Sequence, residues 1–214
     1  MKYCIILLCI GFTLQSFSQK HVTKTLPVKG QTLLEIDFPF ADEIEIKTWE
    51  KKEVRVEVEV TINDGEDNDV FELMTSSSAN MLSIEMEKEN WKKTEYRNRK
   101  CWDSEIYYVV YLPKDLELEA ESISGNYDIR YSRNILSLKT ISGDIDLSIE
   151  RNENIDFDMK TISGEVYTDL NLEFPYGKEG LRQIVGTKAR GRLGSGGNLI
   201  KLETISGNIY LRKG

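Results

Sequence analysis

The chain is predicted to be all-β, a parallel β-solenoid with rungs of about 18–22 residues, and three observations predict it. An Ile-Ser-Gly phrase recurs four times, as ESISGNYDIR from Glu121, KTISGDIDLS from Lys139, KTISGEVYTD from Lys160 and ETISGNIYLR from Glu203. Around each copy, apolar and polar residues alternate with period two, the pattern of strands buried on one face. The glycines Gly125, Gly143, Gly164 and Gly207 lie 18, 21 and 43 residues apart, the last gap being about two periods. A decayed copy is therefore expected at Gln183-Ile184-Val185-Gly186.

In chain order, residues 1–18 read as a signal peptide, with Lys2 as the positive start, Cys4 to Leu14 as the apolar run and Ser16-Phe17-Ser18 before a cut at Gln19. That run is too short for a comfortable membrane span, and no later segment approaches the roughly 20 apolar residues a spanning helix needs. Leu8 is too bulky for lipid attachment at Cys9, so export without an anchor is expected, to the periplasm, the cell surface or the medium. Residues 19–214 are expected to form a single solenoid domain, clearest over 116–214, with a split near Leu112-Pro113-Lys114 as the alternative.

The first rung-like stretch is Leu34, Ile36 and Phe38, then Asp42 in the place of the glycine, then Ile44 and Ile46. Alternation marks further strands over 54–60, 82–86 and 116–120. The acidic run Asn63 to Asp69 lacks the spacing of a calcium-binding EF-hand and reads as a loop. Asp67 to Thr75 is the one candidate helical turn, with Val70, Phe71 and Leu73 facing inward.

Superposing the four copies gives columns. Leu118/Ala120, Leu136/Leu138, Phe157/Met159 and Ile200/Leu202 share a parity before the glycine, as do Tyr127/Ile129, Ile145/Leu147, Val166 and Ile209/Leu211 after it. These are core. The opposite parity carries acids, amides, lysines and tyrosines and meets solvent. A rung buries about four or five apolar side chains at roughly 1.5 to 3 kcal/mol each. Ordering about twenty residues costs roughly 1 to 2 kcal/mol apiece, so a rung folds only when stacked on others. The corner glycines are expected at positive φ, with Ser124, Ser142, Ser163 and Ser206 satisfying corner backbone groups through their hydroxyls.

These residues resemble the bacterial putative-adhesin families of exported β-solenoid repeat proteins, whose domains are of unknown function. The resemblance rests on the T-I-S-G-[DEN]-[IV] rungs, on Glu43-Ile44-Glu45-Ile46-Lys47-Thr48-Trp49 followed by Glu53-Val54-Arg55-Val56, and on Gly196 to Leu211. It implies a surface or envelope role and carries over no catalytic residue, since the family has none established.

Composition narrows the chemistry. Loss of residues 1–18 removes Lys2 and no acid, so 28 basic residues become 27 against 36 acidic ones and the charge moves from −8 to −9. Such a chain lacks the basic face a nucleic-acid partner needs. Cys4 and Cys9 leave with the signal, so Cys101 remains without an internal disulfide partner. His21 is the sole histidine and stands just after the cut, which leaves no usual Ser-His-Asp or Cys-His nucleophile. Gly191 to Gly197 lacks the lysine and the strand-to-helix setting of a phosphate loop. Neither a cofactor nor a metal is expected.

The outward acids Asp144, Asp146 and Glu165, with Tyr167, are the sharpest ligand-binding candidates. Stacked rungs about 4.8 Å apart would make Asp144 and Glu165 neighbours, near the roughly 5 Å of a retaining glycosidase pair. A solvated strand face offers neither the burial nor the partner that a general acid needs. The second candidate is the basic, aromatic segment Trp91 to Trp102, where Trp91, Tyr96, Arg97 and Trp102 would stack on sugars or hold an anionic polymer. The expected function is an exported, non-enzymatic binding protein, adhesin-like, recognising a cell-envelope glycan or protein. The alternatives are a carbohydrate-active β-helix enzyme using the outward acids, and a self-assembling module stacking end to end, since Lys213-Gly214 follows the last strand with no cap.

Overall fold

The computed structural model describes residues 19–92, 103–130, 135–150, 153–174 and 187–214. Its strands are β1 (Lys20–Pro27), β2 (Leu33–Asp37), β3 (Glu43–Trp49), β4 (Glu53–Ile62), β5 (Leu73–Ser77), β6 (Met81–Met86), β7 (Ser104–Pro113) and β8 (Glu117–Glu121). They continue as β9 (Asn126–Arg130), β10 (Ile135–Lys139), β11 (Ile145–Ile149), β12 (Ile155–Thr161), β13 (Val166–Thr168), β14 (Thr187–Leu193), β15 (Asn198–Glu203) and β16 (Ile209–Lys213). The signal peptide and the decayed copy at 183–186 lie outside the described residues.

Two eight-stranded sheets enclose one core. Sheet A runs β1-β4-β7-β3-β9-β11-β16-β13, and sheet B runs β14-β12-β15-β10-β8-β2-β6-β5. Period-two alternation builds both: Leu34, Ile36, Leu118, Ala120, Leu138, Phe157, Met159, Ile200 and Leu202 point inward from sheet B. Ile44, Ile46, Tyr127, Ile129, Ile145, Leu147, Ile209 and Leu211 meet them from sheet A, and all are buried. Phe38 stacks on Tyr108 at 4.1 Å within this core.

The rungs do not follow chain order. Each is one strand of sheet B leading to one of sheet A, and the parallel stack reads β6/β7, β2/β3, β8/β9, β10/β11, β15/β16, β12/β13. The last Ile-Ser-Gly copy is thus inserted between the second and the third. At the other end of the stack, β6/β7 lies outside β2/β3. The rung read at Leu34 to Ile46 is real, with Ile36 beside Ala120 and Ile44 beside Tyr127.

Antiparallel strands close one end in both sheets and the other end in sheet B, which overturns the expectation that the last strand is an uncapped terminal rung. β4, β1 and β5 cover one end and β14 pairs with β12 at the other. The final strand β16 lies between β11 and β13 rather than at an edge. β1 carries Lys20 and Lys24 in register with buried Val60 and Val56, and inward-pointing charges on an edge strand discourage further pairing. Lys20 Nζ donates to the carbonyls of Asn68 and Phe71 at 3.1 and 3.0 Å. Asp67 to Thr75 holds a single 3₁₀ turn, Asn68–Val70, before β5 begins at Leu73.

The core also sets a pH limit. Tyr108 and Tyr127 are buried, and loss of hydration, aided by the charges of nearby carboxylates, pushes both phenols above the ordinary value of 10.0. The unfolded chain therefore releases these protons first. Their contribution is complete below pH 10.0 and falls above it, by about 1.4 kcal/mol per pH unit for each tyrosine. Alkaline titration is expected to show phenolate absorbance from these two rings only as the circular dichroism of the sheet is lost. Full ionisation with the sheet intact would contradict their burial.

Candidate functional site

The repeated corner is a structural ladder, built differently from the sequence expectation. Among the described glycines positive φ occurs at Gly30, Gly65, Gly194 and Gly196, not at Gly125, Gly143, Gly164 or Gly207. Close approach is what demands glycine: a Cβ on Gly143 would press on the Gly125 carbonyl oxygen, one on Gly207 on that of Gly143, and one on Gly164 on that of Gly207, each well under 3.0 Å. The buried hydroxyl three residues before the glycine ties the rungs together at every corner, joined by the adjacent serine at the first. Thr140 Oγ1 donates to the Gly125 carbonyl at 3.2 Å, Thr204 Oγ1 to Gly143 at 2.9 Å and Thr161 Oγ1 to Gly207 at 2.8 Å. Ser122 occupies this position in its rung and donates to Phe38 at 2.7 Å. Of the adjacent serines, Ser124 bonds Ala41.

Between hydroxyl and glycine, Ile123, Ile141, Ile205 and Ile162 point outward at 40 to 44 % exposure and form an apolar ridge. Sequence reasoning missed this ridge. Its signal was the invariant isoleucine itself, standing between two polar residues at each corner.

The outward carboxylates are rearranged by the rung order. Asn208 separates Asp144 from Glu165, so they are two strand spacings apart, about 9.6 Å along the stack. The expected adjacent pair does not exist. Instead the column is an amide ladder: Asn126 Oδ1 accepts from the Asp144 backbone N–H at 2.9 Å, Asp144 Oδ1 from Asn208 at 2.7 Å and Asn208 Oδ1 from Glu165 at 3.0 Å. Among the described residues no three His, Cys, Asp or Glu side chains gather as a metal site.

The neighbouring outward column brings Asp128, Asp146, Tyr210 and Tyr167 together. Tyr167 and Tyr210 stack at 5.3 Å with their planes 11° apart, and Tyr167 is 48 % exposed. Tyr167 donates to Glu165 Oε2 at 2.8 Å, and that hydrogen bond, with the carboxylate charge, raises its phenol above the ordinary value. Arg212 Nε pairs with Asp146 at 2.8 Å, and its guanidinium lies 5.1 Å from the Tyr210 ring centre. The result is an aromatic platform of two rings stacked face to face, with Tyr167 outermost on the edge strand, fringed by two carboxylates, an amide and a guanidinium.

Of the basic aromatic segment, Tyr96, Arg97 and Trp102 lie outside the described residues. Trp91 is 4 % exposed and stacks on Phe40 at 5.0 Å, so it belongs to the core and not to a binding surface. A second aromatic group, unforeseen from sequence, sits on sheet A instead. Trp49 stacks on Tyr111 at 5.1 Å, and Arg55 lies 4.9 Å from each ring.

Parallel rungs, a core between two sheets and a glycine ladder at the corner define an all-β solenoid. Residues 117–212 match the Toastrack DUF4097 family model. The match begins at the Glu121 rung and leaves the preceding two rungs outside it.

A putative cell adhesion protein from Clostridium sporogenes shares the fold, with a TM-score of 0.59 at 12% identity over 92% of this chain and 100% of that one. A putative adhesin from Bacteroides fragilis matches at a TM-score of 0.34 and 11% identity, covering 92% of this chain and 98% of its own. A putative lipid binding protein from Parabacteroides distasonis reaches 0.29 at 18% identity, over 69% of this chain and 53% of its own. Only the first similarity is strong enough to bear on the fold. No curated protein matches the chain. No helix among the described residues is long and apolar enough to cross a membrane.

Proposed function

We propose that this protein is an exported, non-enzymatic binding module of the cell envelope, adhesin-like in role, that holds a glycan or protein partner on the outward face of sheet A. The observation that carries it is the Tyr167–Tyr210 platform, exposed on a flat sheet among hydrogen-bonding groups. Stacked aromatic faces with polar groups at their rim suit the alternating apolar and hydroxyl surfaces of a sugar. The name of the Clostridium sporogenes protein sharing the fold agrees with adhesion.

A non-enzymatic role is supported by the separation of Asp144 from Glu165, which leaves the glycosidase alternative without its carboxylate pair. End-to-end assembly loses its main argument because the last strand β16 lies inside sheet A and antiparallel strands cover one end fully and the sheet B side of the other. A single domain over 19–214 is favoured because both sheets run through the alternative boundary at Leu112-Pro113-Lys114. Export rests on the reading of residues 1–18; fractionation with protease treatment of intact cells tests it, and cytoplasmic recovery would sink it.

Tyr167→Ala is expected to reduce capture of the protein by envelope polysaccharide about tenfold, since base-free aromatic stacking of this kind is worth on the order of 1 kcal/mol. Melting should hardly change, because the ring is exposed. Unchanged capture would move the partner off this platform.

A further inference from the structure

We propose that a straight row of cations crossing sheet A, Arg55, Lys47, Arg130 and Arg212, binds a linear anionic polysaccharide. The proposal rests on the outward face of sheet A being the binding face and names the chemistry of its partner.

The row is a product of register. Arg55 faces Tyr111, Tyr111 faces Lys47, Arg130 faces Ser148 and Ser148 faces Arg212, while Lys47 and Arg130 directly follow the paired Ile46 and Ile129. Six consecutive strands, β4, β7, β3, β9, β11 and β16, each contribute one residue, so the row spans about 24 Å at right angles to the strands. Four of the six are cations on a chain of net charge −8.

Folding does not require this arrangement. Like charges opposite one another on neighbouring strands are destabilising, and Lys47 and Arg130 are so placed. The hydrogen bond that Lys47 donates to Glu45 raises the proton affinity of Lys47, and the Arg130 charge works against it. Arg130 itself is exposed and ion-pairs with no described residue.

The other cations are held in place yet remain available. Arg55 lies over Trp49 and Tyr111, and Lys51 stands 4.7 Å from the Trp49 ring centre. Arg55, Lys47 and Arg212 each touch one carboxylate, Glu57 at 3.1 Å, Glu45 at 2.6 Å and Asp146 at 2.8 Å. Exposed pairs of this kind are weak, and a guanidinium with five donors keeps several free for a second anion. Glu57, Glu45, Asp128 and Asp146 form the adjacent row, so a polyanion is repelled from the middle of the sheet and confined to the cationic line.

Direction favours a glycan over an acidic peptide. Extended peptides bind along strand edges, where backbone groups are open. This row runs across interior strands whose ladders are already filled, so it offers side chains and aromatic faces only.

Purified alginate, a polyuronate, is the probe, with neutral dextran and polyglutamate as comparisons. The intact protein is expected to bind alginate with an affinity that falls as salt rises, and to bind dextran and polyglutamate at least tenfold more weakly. Arg130→Gln should weaken alginate binding several-fold while leaving the melting temperature equal or raised, because the repulsion with Lys47 is relieved. Lys47→Gln with Arg130→Gln should weaken it by about tenfold or more. Alginate binding unchanged in both variants would overturn the proposal, as would equal binding of dextran; tighter binding of polyglutamate would reassign the row to an acidic protein. Pure alginate reports on the row alone, so failure of envelope capture would sink the adhesin-like reading and leave this measurement standing.

Discussion

Gly143→Val is expected to destabilise the protein by more than about 4 kcal/mol and to lower its melting temperature by roughly 10 °C or more. The reason is backbone against backbone. A Cβ at this position meets the carbonyl oxygen and carbon of Gly125, neither of which can turn aside as a side chain would. The Gly143 carbonyl in turn lies against Gly207 and accepts the Thr204 hydroxyl, so any retreat disturbs the next rung as well. Gly125→Ala supplies the control, because its added Cβ meets mainly Ile44 Cδ1 and Ser122 Oγ at 2.7 Å, side-chain atoms able to shift. That variant should cost about 1 to 3 kcal/mol. Equal melting of Gly143→Ala and Gly125→Ala would show that the ladder is not what selects glycine.

Removal of residues 198–214 is expected to abolish cooperative folding of the C-terminal half rather than to shed one terminal rung. In a solenoid wound in chain order, losing the last repeat loses one interface. Here β15 lies between β12 and β10, and β16 between β13 and β11, so the deletion removes two interfaces and cuts β12/β13 off from the rest of the stack, with only β14 still paired to β12. Ile200, Leu202, Ile209 and Leu211, all 0% exposed, would be lost together. At roughly 1.5 to 3 kcal/mol each they amount to about 6 to 12 kcal/mol, comparable with the whole stability of a domain. Far-ultraviolet circular dichroism and limited proteolysis check it. A truncated chain melting in one transition within a few degrees of the parent would refute the inserted-rung order.

The candidate site was only half legible for the same reason. Tyr167 and Asp146 could be placed on the outward face from parity, but their company depended on which rung lies beside which. With Asn208 between them, Asp144 and Glu165 became members of an amide ladder instead of a carboxylate pair. Trp91 was misread because its polar neighbours in sequence suggested exposure, whereas Phe40, fifty-one positions away, gives it a buried face to stack on. The cationic row was invisible because Arg55, Lys47, Arg130 and Arg212 share no motif; only strand register aligns them.

Sequence by itself determined that the chain is a β-solenoid, which side chains form its core and where its corners fall, because alternation and glycine recurrence are local properties of each rung. Tertiary structure alone decided the order of the rungs, the capping strands and hence the neighbours on the binding face. Each Thr-Ile-Ser-Gly rung offers nearly the same ladder of backbone groups and the same apolar columns to any other, so local pattern cannot rank one stacking partner above another. The choice falls to the connecting segments and to the ends, where β4, β5 and β14 turn antiparallel and close the stack.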